Sequence, residues 1–196
     1  LKIVMMKKLL LFFCIFFSVF LNSQTLYWVG GSGYWNDGNH WSNTSGGASI
    51  NSVPTLNTNV VFDNYSSSSG SFTIHATNSF ALKKITSLNN NFNIDIISSP
   101  TVDMSIYGNV ELNEYFFIKT NGDVYLNPSI NALYQFSHNK LNNDVYIKST
   151  NEIQLGTVSI LKTLYLSGNL TLKNSTVLTE NISINNAQLV KKLFYQ

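Results

Sequence analysis

Along the second half of the chain an apolar-x-apolar triplet keeps returning: Met104-Ser105-Ile106, Val124-Tyr125-Leu126, Val145-Tyr146-Ile147, Leu164-Tyr165-Leu166 and Ile182-Ser183-Ile184. Their first residues are 20, 21, 19 and 18 positions apart. The alternation inside each triplet is the period of a β-strand, and near-constant spacing between copies marks stacked repeats. Polar corners follow the triplets: Gly108-Asn109, Asn127-Pro128, Ser149-Thr150-Asn151, Gly168-Asn169 and Asn185-Asn186. Gly and Asn tolerate the positive φ that a tight corner demands. A second apolar pair comes after most corners, at Val110/Leu112, Ile153/Leu155 and Leu170/Leu172, and a third is placed at Phe116/Ile118, Tyr134/Phe136 and Val158/Ile160.

Strand, corner, strand, corner, strand and return is one coil of a parallel β-solenoid, so the pattern predicts an all-β fold with coils of about 20 residues. Coils stack at roughly 4.8 Å, which places equivalent residues over one another. Inward positions form apolar columns; the middle residues Tyr125, Tyr146 and Tyr165 form an outward ladder. Corner Asn residues are expected to bond to Asn in the next coil. An Asp at Leu166 should break the stack, whereas Thr171→Asp should barely register. The competing fold is an antiparallel β-sandwich, whose short strands recur at about 8–12 residues. The 20-residue recurrence and the matching corners favour the solenoid. Helices fit poorly, because β-branched residues and Asn are everywhere.

Upstream, strand-like pieces occur at Asn59-Val60-Val61-Phe62, Phe72-Thr73-Ile74, residues 82–88 and Phe92-Asn93-Ile94-Asp95-Ile96. Between the first two lies Ser66-Ser67-Ser68-Ser69-Gly70, a flexible loop by composition. At the start, Lys7 and Lys8 precede an apolar run of 13 residues, 9–21, interrupted only by Ser18. A basic stretch before a short apolar run is a secretory signal, too short for the roughly 20 residues that span a bilayer. Cleavage is expected near Ser23 or Gln24. This divides the chain into a signal peptide (1–24), a Trp/Gly-rich cap (25–63) and solenoid repeats (64–196). Leu1 and the strand-like end at 189–196 read as the ends of a fragment.

Cys14, the sole cysteine, lies in the signal run behind Phe12 and Phe13 rather than small residues, which argues against lipidation. Its removal leaves no disulfide, thiolate or cysteine metal site. The whole chain has 12 basic and 10 acidic residues; without Lys2, Lys7 and Lys8 the balance is 9 against 10. No cationic stripe remains for nucleic acid, and every basic residue is Lys, which removes the bidentate Arg fork.

All three tryptophans fall in Tyr27-Trp28-Val29-Gly30-Gly31-Ser32-Gly33-Tyr34-Trp35-Asn36-Asp37-Gly38-Asn39-His40-Trp41-Ser42. Then come Ser45-Gly46-Gly47, Val53-Pro54 and Val60-Val61-Phe62-Asp63. Residues 27–63 thus resemble the opening of secreted, surface-exposed, adhesin-like proteins of the Bacteroidota. The resemblance implies export, a place at the cell surface, β-solenoid repeats after the motif, and a C-terminal sorting domain, which the present sequence does not reach. It attaches no activity.

Two readings of the tryptophans compete. A solenoid exposes apolar columns and strand edges at its ends and needs caps there; Trp28, Trp35 and Trp41 would cover the first coil. Alternatively, they would form a flat platform for sugar rings, provided that their faces are exposed. Enzyme readings find less support. Solenoids do host polysaccharide lyases and hydrolases, but only the fold argues for it. The acids Asp95, Asp103, Glu111, Glu114, Asp123, Asp144, Glu152 and Glu180 are scattered, whereas hydrolysis needs two or three converging carboxylates. Asp123 and Asp144, 21 apart, would share a corner and offer a Ca²⁺ pair, an acid/base pair or merely solvated turns. His40, His75 and His138 lack metal-ligand spacing. The sequence therefore points to an exported, non-catalytic structural or adhesive module. It would use no cofactor or metal and meet a cell-surface or extracellular glycan or protein, with Trp28, Trp35, Trp41, Tyr125, Tyr146 and Tyr165 as candidate contacts. The alternative is a carbohydrate-binding or carbohydrate-processing β-helix.

Overall fold

A computed structural model describes residues 23–89, 91–137, 140–156, 158–168, 171–172 and 177–185. The signal run, the 189–196 tail, His138, Asn169, Leu170 and Asn186 lie outside the described residues. The fold is a parallel β-solenoid with three faces.

Face A carries β1 (Thr25–Trp28), β4 (Asn59–Phe62), β7 (Lys84–Ser87), β10 (Val110–Glu111), β13 (Ala132–Gln135), β16 (Glu152–Leu155) and β18 (Thr171–Leu172). Face B carries β2 (Gly33–Tyr34), β5 (Phe72–His75), β8 (Ile94–Ile97) and β11 (Phe116–Lys119). Face C carries β6 (Phe80–Leu82), β9 (Met104–Ile106), β12 (Val124–Leu126), β15 (Val145–Lys148), β17 (Val158–Ser167) and β19 (Val177–Asn185). The pairings along these faces are parallel; β3 (Trp41–Ser42) adds antiparallel to β1 and covers the outer edge of face A. A 3-10 turn, Gly38–His40, precedes β3.

All five triplets lie in one sheet and in register: Met104, Val124, Val145, Leu164 and Ile182 are successive partners. A sixth copy, Phe80-Ala81-Leu82, precedes them at a step of 24 and escaped the sequence pattern. The 82–88 piece, expected as one strand, is split at Lys83: β6 lies on face C and β7 on face A. Tyr134/Phe136, expected on the third side, instead follows Val110 on face A, because Val110 pairs with Tyr134. On face A the successive partners Leu26, Val60, Ile85, Val110, Tyr134 and Leu155 are 34, 25, 25, 24 and 21 apart, so the coils shorten along the axis. In the last coils the corner between faces B and C flattens: Val158 to Ile160 pair with one stretch of β19 and Thr163 to Ser167 with another, with an irregularity between. β14 (Lys140–Leu141) pairs with the first of these stretches of β17.

The lumen is the core. Leu26, Val60, Ile85, Val110 and Tyr134 fill it from face A, Ile74, Ile96 and Ile118 from face B, and Leu82, Ile106, Leu126, Ile147 and Leu166 from face C, all buried. Each large apolar side chain so placed contributes roughly 1.5–3 kcal/mol gross. The corner Asn residues act differently from the expected side-chain ladder. They clamp the backbone of the preceding coil: Asn121 Nδ2 donates to Ser98 O (3.0 Å), Asn143 Nδ2 to Thr120 O (2.9 Å), and Asn113 Nδ2 to Asn89 O. Among the described residues of the predicted corners, positive φ occurs at Gly168 alone (+85°), where a Cβ would lie 2.3 Å from Ser149 O.

Candidate functional site

The two candidate aromatic groups lie on opposite sides of the wall. In β1 the inward parity belongs to Leu26 and Trp28, and Trp41 in β3 is the register partner of Trp28. Both indoles have zero exposure and Trp35 has 4%. Trp28 meets Trp41 edge-on at 5.0 Å and stacks on the His40 ring at 4.7 Å; Trp35 stacks on Phe80 at 4.1 Å. Their N–H groups are satisfied internally, Trp28 Nε1 by Gly31 O (2.7 Å) and Trp41 Nε1 by Trp35 O (2.9 Å). His40 Nδ1 lies 2.8 Å from Val29 O. The sugar-platform reading of Trp28, Trp35 and Trp41 is thereby corrected: no indole face is free for a pyranose. The tryptophans plug the lumen of a first coil that is itself part of the stack, since β1 pairs in parallel with β4.

The tyrosines stand outside. Tyr125, Tyr146 and Tyr165 are register partners on face C. Their rings stack at 4.9 Å and 17°, then 4.4 Å and 4°, an offset parallel arrangement worth about 0.5–1.5 kcal/mol per pair beyond burial. The spacing follows from the coil rise. Stacking turns the ring faces toward one another and leaves edges and hydroxyls outward. Ser105 and Ser183, the small register partners at either end, leave the outer faces of Tyr125 and Tyr165 without an aromatic neighbour. Tyr107 flanks the ladder and is exposed.

A column of carboxylates runs along one side. Asp103 Oδ1 accepts from Asp123 N (2.9 Å) and Asp144 Oδ1 from Thr163 N (2.9 Å), so these side chains bind coil to coil. Gly122 permits the approach: a Cβ there would lie 2.4 Å from Val102 C. Tyr125 Oη donates to Asp123 Oδ2 at 3.4 Å. Partial burial, then the charges of Asp144 and Asp103, raise the Asp123 carboxyl above its ordinary range, against the pull of Lys162. Burial first, and then Asp123, raise the Tyr125 and Tyr146 phenols, which therefore remain hydroxyl donors at neutral pH. Among the described residues no three His, Cys, Asp or Glu side chains converge to hold a metal ion. No helix among them is long and apolar enough to cross a membrane.

The structure thus brings together Tyr125, Tyr146, Tyr165, Asp103, Asp123 and Asp144, and separates them from the tryptophans. The sequence reading missed Asp103 as a member of the column; its position one residue before a triplet, as for Asp123 and Asp144, was the available signal. The chain matches no protein-family model, no curated protein and no solved structure.

Proposed function

We propose that this chain is an exported, non-catalytic structural or adhesive module whose contact surface is face C. The observation that carries the reading is the ladder Tyr125–Tyr146–Tyr165: three half-buried rings in register, presenting hydroxyls at the coil spacing on face C. Rigid aromatic side chains bring large contact area at small entropic cost. Beside them Asp103, Asp123 and Asp144 supply acceptors. A glycan or a protein surface at the cell exterior fits such a stripe of alternating donors and acceptors. The carboxylates support binding rather than bond cleavage, because two of the three are already committed to neighbouring backbone N–H groups. The resemblance of residues 27–63 to adhesin openings and the signal-like start support export.

The test is adhesion of the purified chain to immobilised cell-surface glycans and proteins, repeated with a Tyr125→Ser, Tyr146→Ser, Tyr165→Ser triple variant. Binding is expected to fall at least about tenfold, equivalent to 1.4 kcal/mol, with the far-UV spectrum unchanged. Equal binding by the variant, or turnover of a bound polysaccharide, would overturn the proposal.

A further inference from the structure

The first coil gives β1 to face A and β2 to face B, but no strand to face C. The outer edge of β6 therefore has no paired strand, and loop 53–56 of the first coil passes it across a gap. In its register with β9, Phe80 and Leu82 turn their backbone groups toward the neighbour: Phe80 N donates to Asp103 O and Leu82 O accepts from Tyr107 N, both at 3.1 Å. Parallel pairing then leaves the N–H and C=O of Ala81 pointing the other way. Among the described residues neither has a hydrogen-bond partner.

Opposite Ala81 lies an open groove of about 280 Å³ walled by Trp35, Val53, Pro54, Leu56 and Phe80. None of its lining residues is charged. Pro54 has no N–H to offer, so the passing loop does not close the ladder. The groove has one blocked end. Thr58 O takes up the N–H of Lys83 (2.9 Å), and the turn closed by Thr58 N and Thr55 O (2.9 Å) stands across the path. Lys83, the residue after β6, is exposed, and among the described residues its ammonium is in neither of the two ion pairs, Lys84–Glu111 and Lys119–Asp95.

We propose that this gap is a β-augmentation site for the apolar carboxyl-terminal end of a partner polypeptide, which adds as the missing first rung of face C. A strand added at an exposed edge gains main-chain hydrogen bonds, with specificity from side-chain pockets. The bare dyad of Ala81 calls for a backbone partner, and the uncharged walls call for apolar side chains, since a charge buried there would lose its hydration. A chain running parallel to β6 ends beside Lys83, whose positive charge complements a terminal carboxylate. The opposite direction would bring an amino terminus to the same ammonium. The turn across the end admits a terminus and not a continuing chain. This inference is independent of the tyrosine face.

The experiment uses the full chain and a fluorescein-labelled peptide ending in Val-Thr-Val-Ile, as the free acid and as the amide. The free acid is expected to bind saturably and to slow hydrogen exchange of the Ala81 amide about tenfold or more. The amide is expected to bind about fivefold more weakly, and Lys83→Gln to erase that difference. Ala81→Pro is expected to abolish binding while leaving β6 paired, because edge strands accept proline where the N–H faces outward. Should Ala81→Pro fail to fold, exchange at Ala81 in the unsubstituted chain decides. The proposal is overturned by no saturable binding up to about 1 mM, the weak end of useful affinity. It is equally overturned by an Ala81 amide already protected without peptide, by tighter binding of the amide form, or by undiminished binding in a folded Ala81→Pro variant.

Discussion

The first coil and the last coils use the same kind of residue in opposite ways. From Leu26 to its partner Val60 the chain takes 34 residues, and the aromatic rings Trp28, Trp35 and Trp41 point into the lumen. From Val145 to Leu164 it takes 19, and Tyr146 and Tyr165 point out. Strand parity decides between them. In β1 an even-numbered position faces inward and brings Trp28 with it; in β15 the odd-numbered Val145 and Ile147 face inward and Tyr146 is left outside. Inside, aromatic bulk closes an end that would otherwise expose an apolar column. Outside, the same bulk stacks at the coil spacing and builds a surface. The long first coil has room for loops and an interrupted face C; the shorter later coils keep faces A and C in register, while face B gives way to the irregular pairing of β17 with β19.

The contrast predicts two different failures. Leu166→Asp places an unpaired charge in the lumen of the regular stack, a change of the class that costs more than about 4 kcal/mol. Because coils contact only their neighbours, hydrogen exchange should show loss of protection in β15 to β19 while β1 to β8 stay protected. Trp28→Ala should cost about 3–5 kcal/mol and give the converse map, with protection lost first in β1, β3 and β4. If both variants melt the whole chain in one transition, the two regions are one cooperative unit and the comparison fails.

A smaller effect tests the inside of the wall alone. Tyr134 is fully buried in face A and, among the described residues, its hydroxyl has no hydrogen-bond partner; burial pushes its phenol well above the ordinary range. Tyr134→Phe removes an unsatisfied polar group and should raise stability by about 1 kcal/mol, read from the denaturation midpoint. The smallest effect tests the outside. The Asp123 carboxyl is raised in the folded state, so its protonated form favours folding; that contribution is present below the ordinary carboxylate range and is lost as pH rises through the folded value. Asp123→Asn should therefore stabilise at neutral pH, on the order of 0.5 kcal/mol for a half-exposed group. The gain should vanish on acidification below about pH 4, near the ordinary Asp value. A gain that grows in acid would show that Asp123 is held by attraction instead.

The fold was legible because a parallel stack repeats one local pattern. Alternation with period 2 selects the inward residues, and the recurrence near 20 aligns them, so Val124, Val145 and Leu164 had to meet. The tyrosine ladder followed from the same two periods. Where the spacing stretched to 24, as at Phe80-Ala81-Leu82, the signal fell below recognition and the sixth rung was missed. The assignment of Tyr134/Phe136 failed for a related reason: the strand alternates correctly, but nothing local says on which face a strand of a changing coil will lie.

What the sequence alone determined is therefore the architecture and the outward column on face C, since both arise from short-range parity multiplied by a regular period. Only the tertiary structure decided the fate of the tryptophans, the clamping role of the corner asparagines and the open edge at β6. Each depends on which distant coil lies beside a residue. Trp28 becomes core because β3 and Phe72 enclose it, and Ala81 keeps its backbone groups free because the long first coil passes face C as a loop. Burial and pairing are properties of neighbours across the stack, and no local pattern carries them.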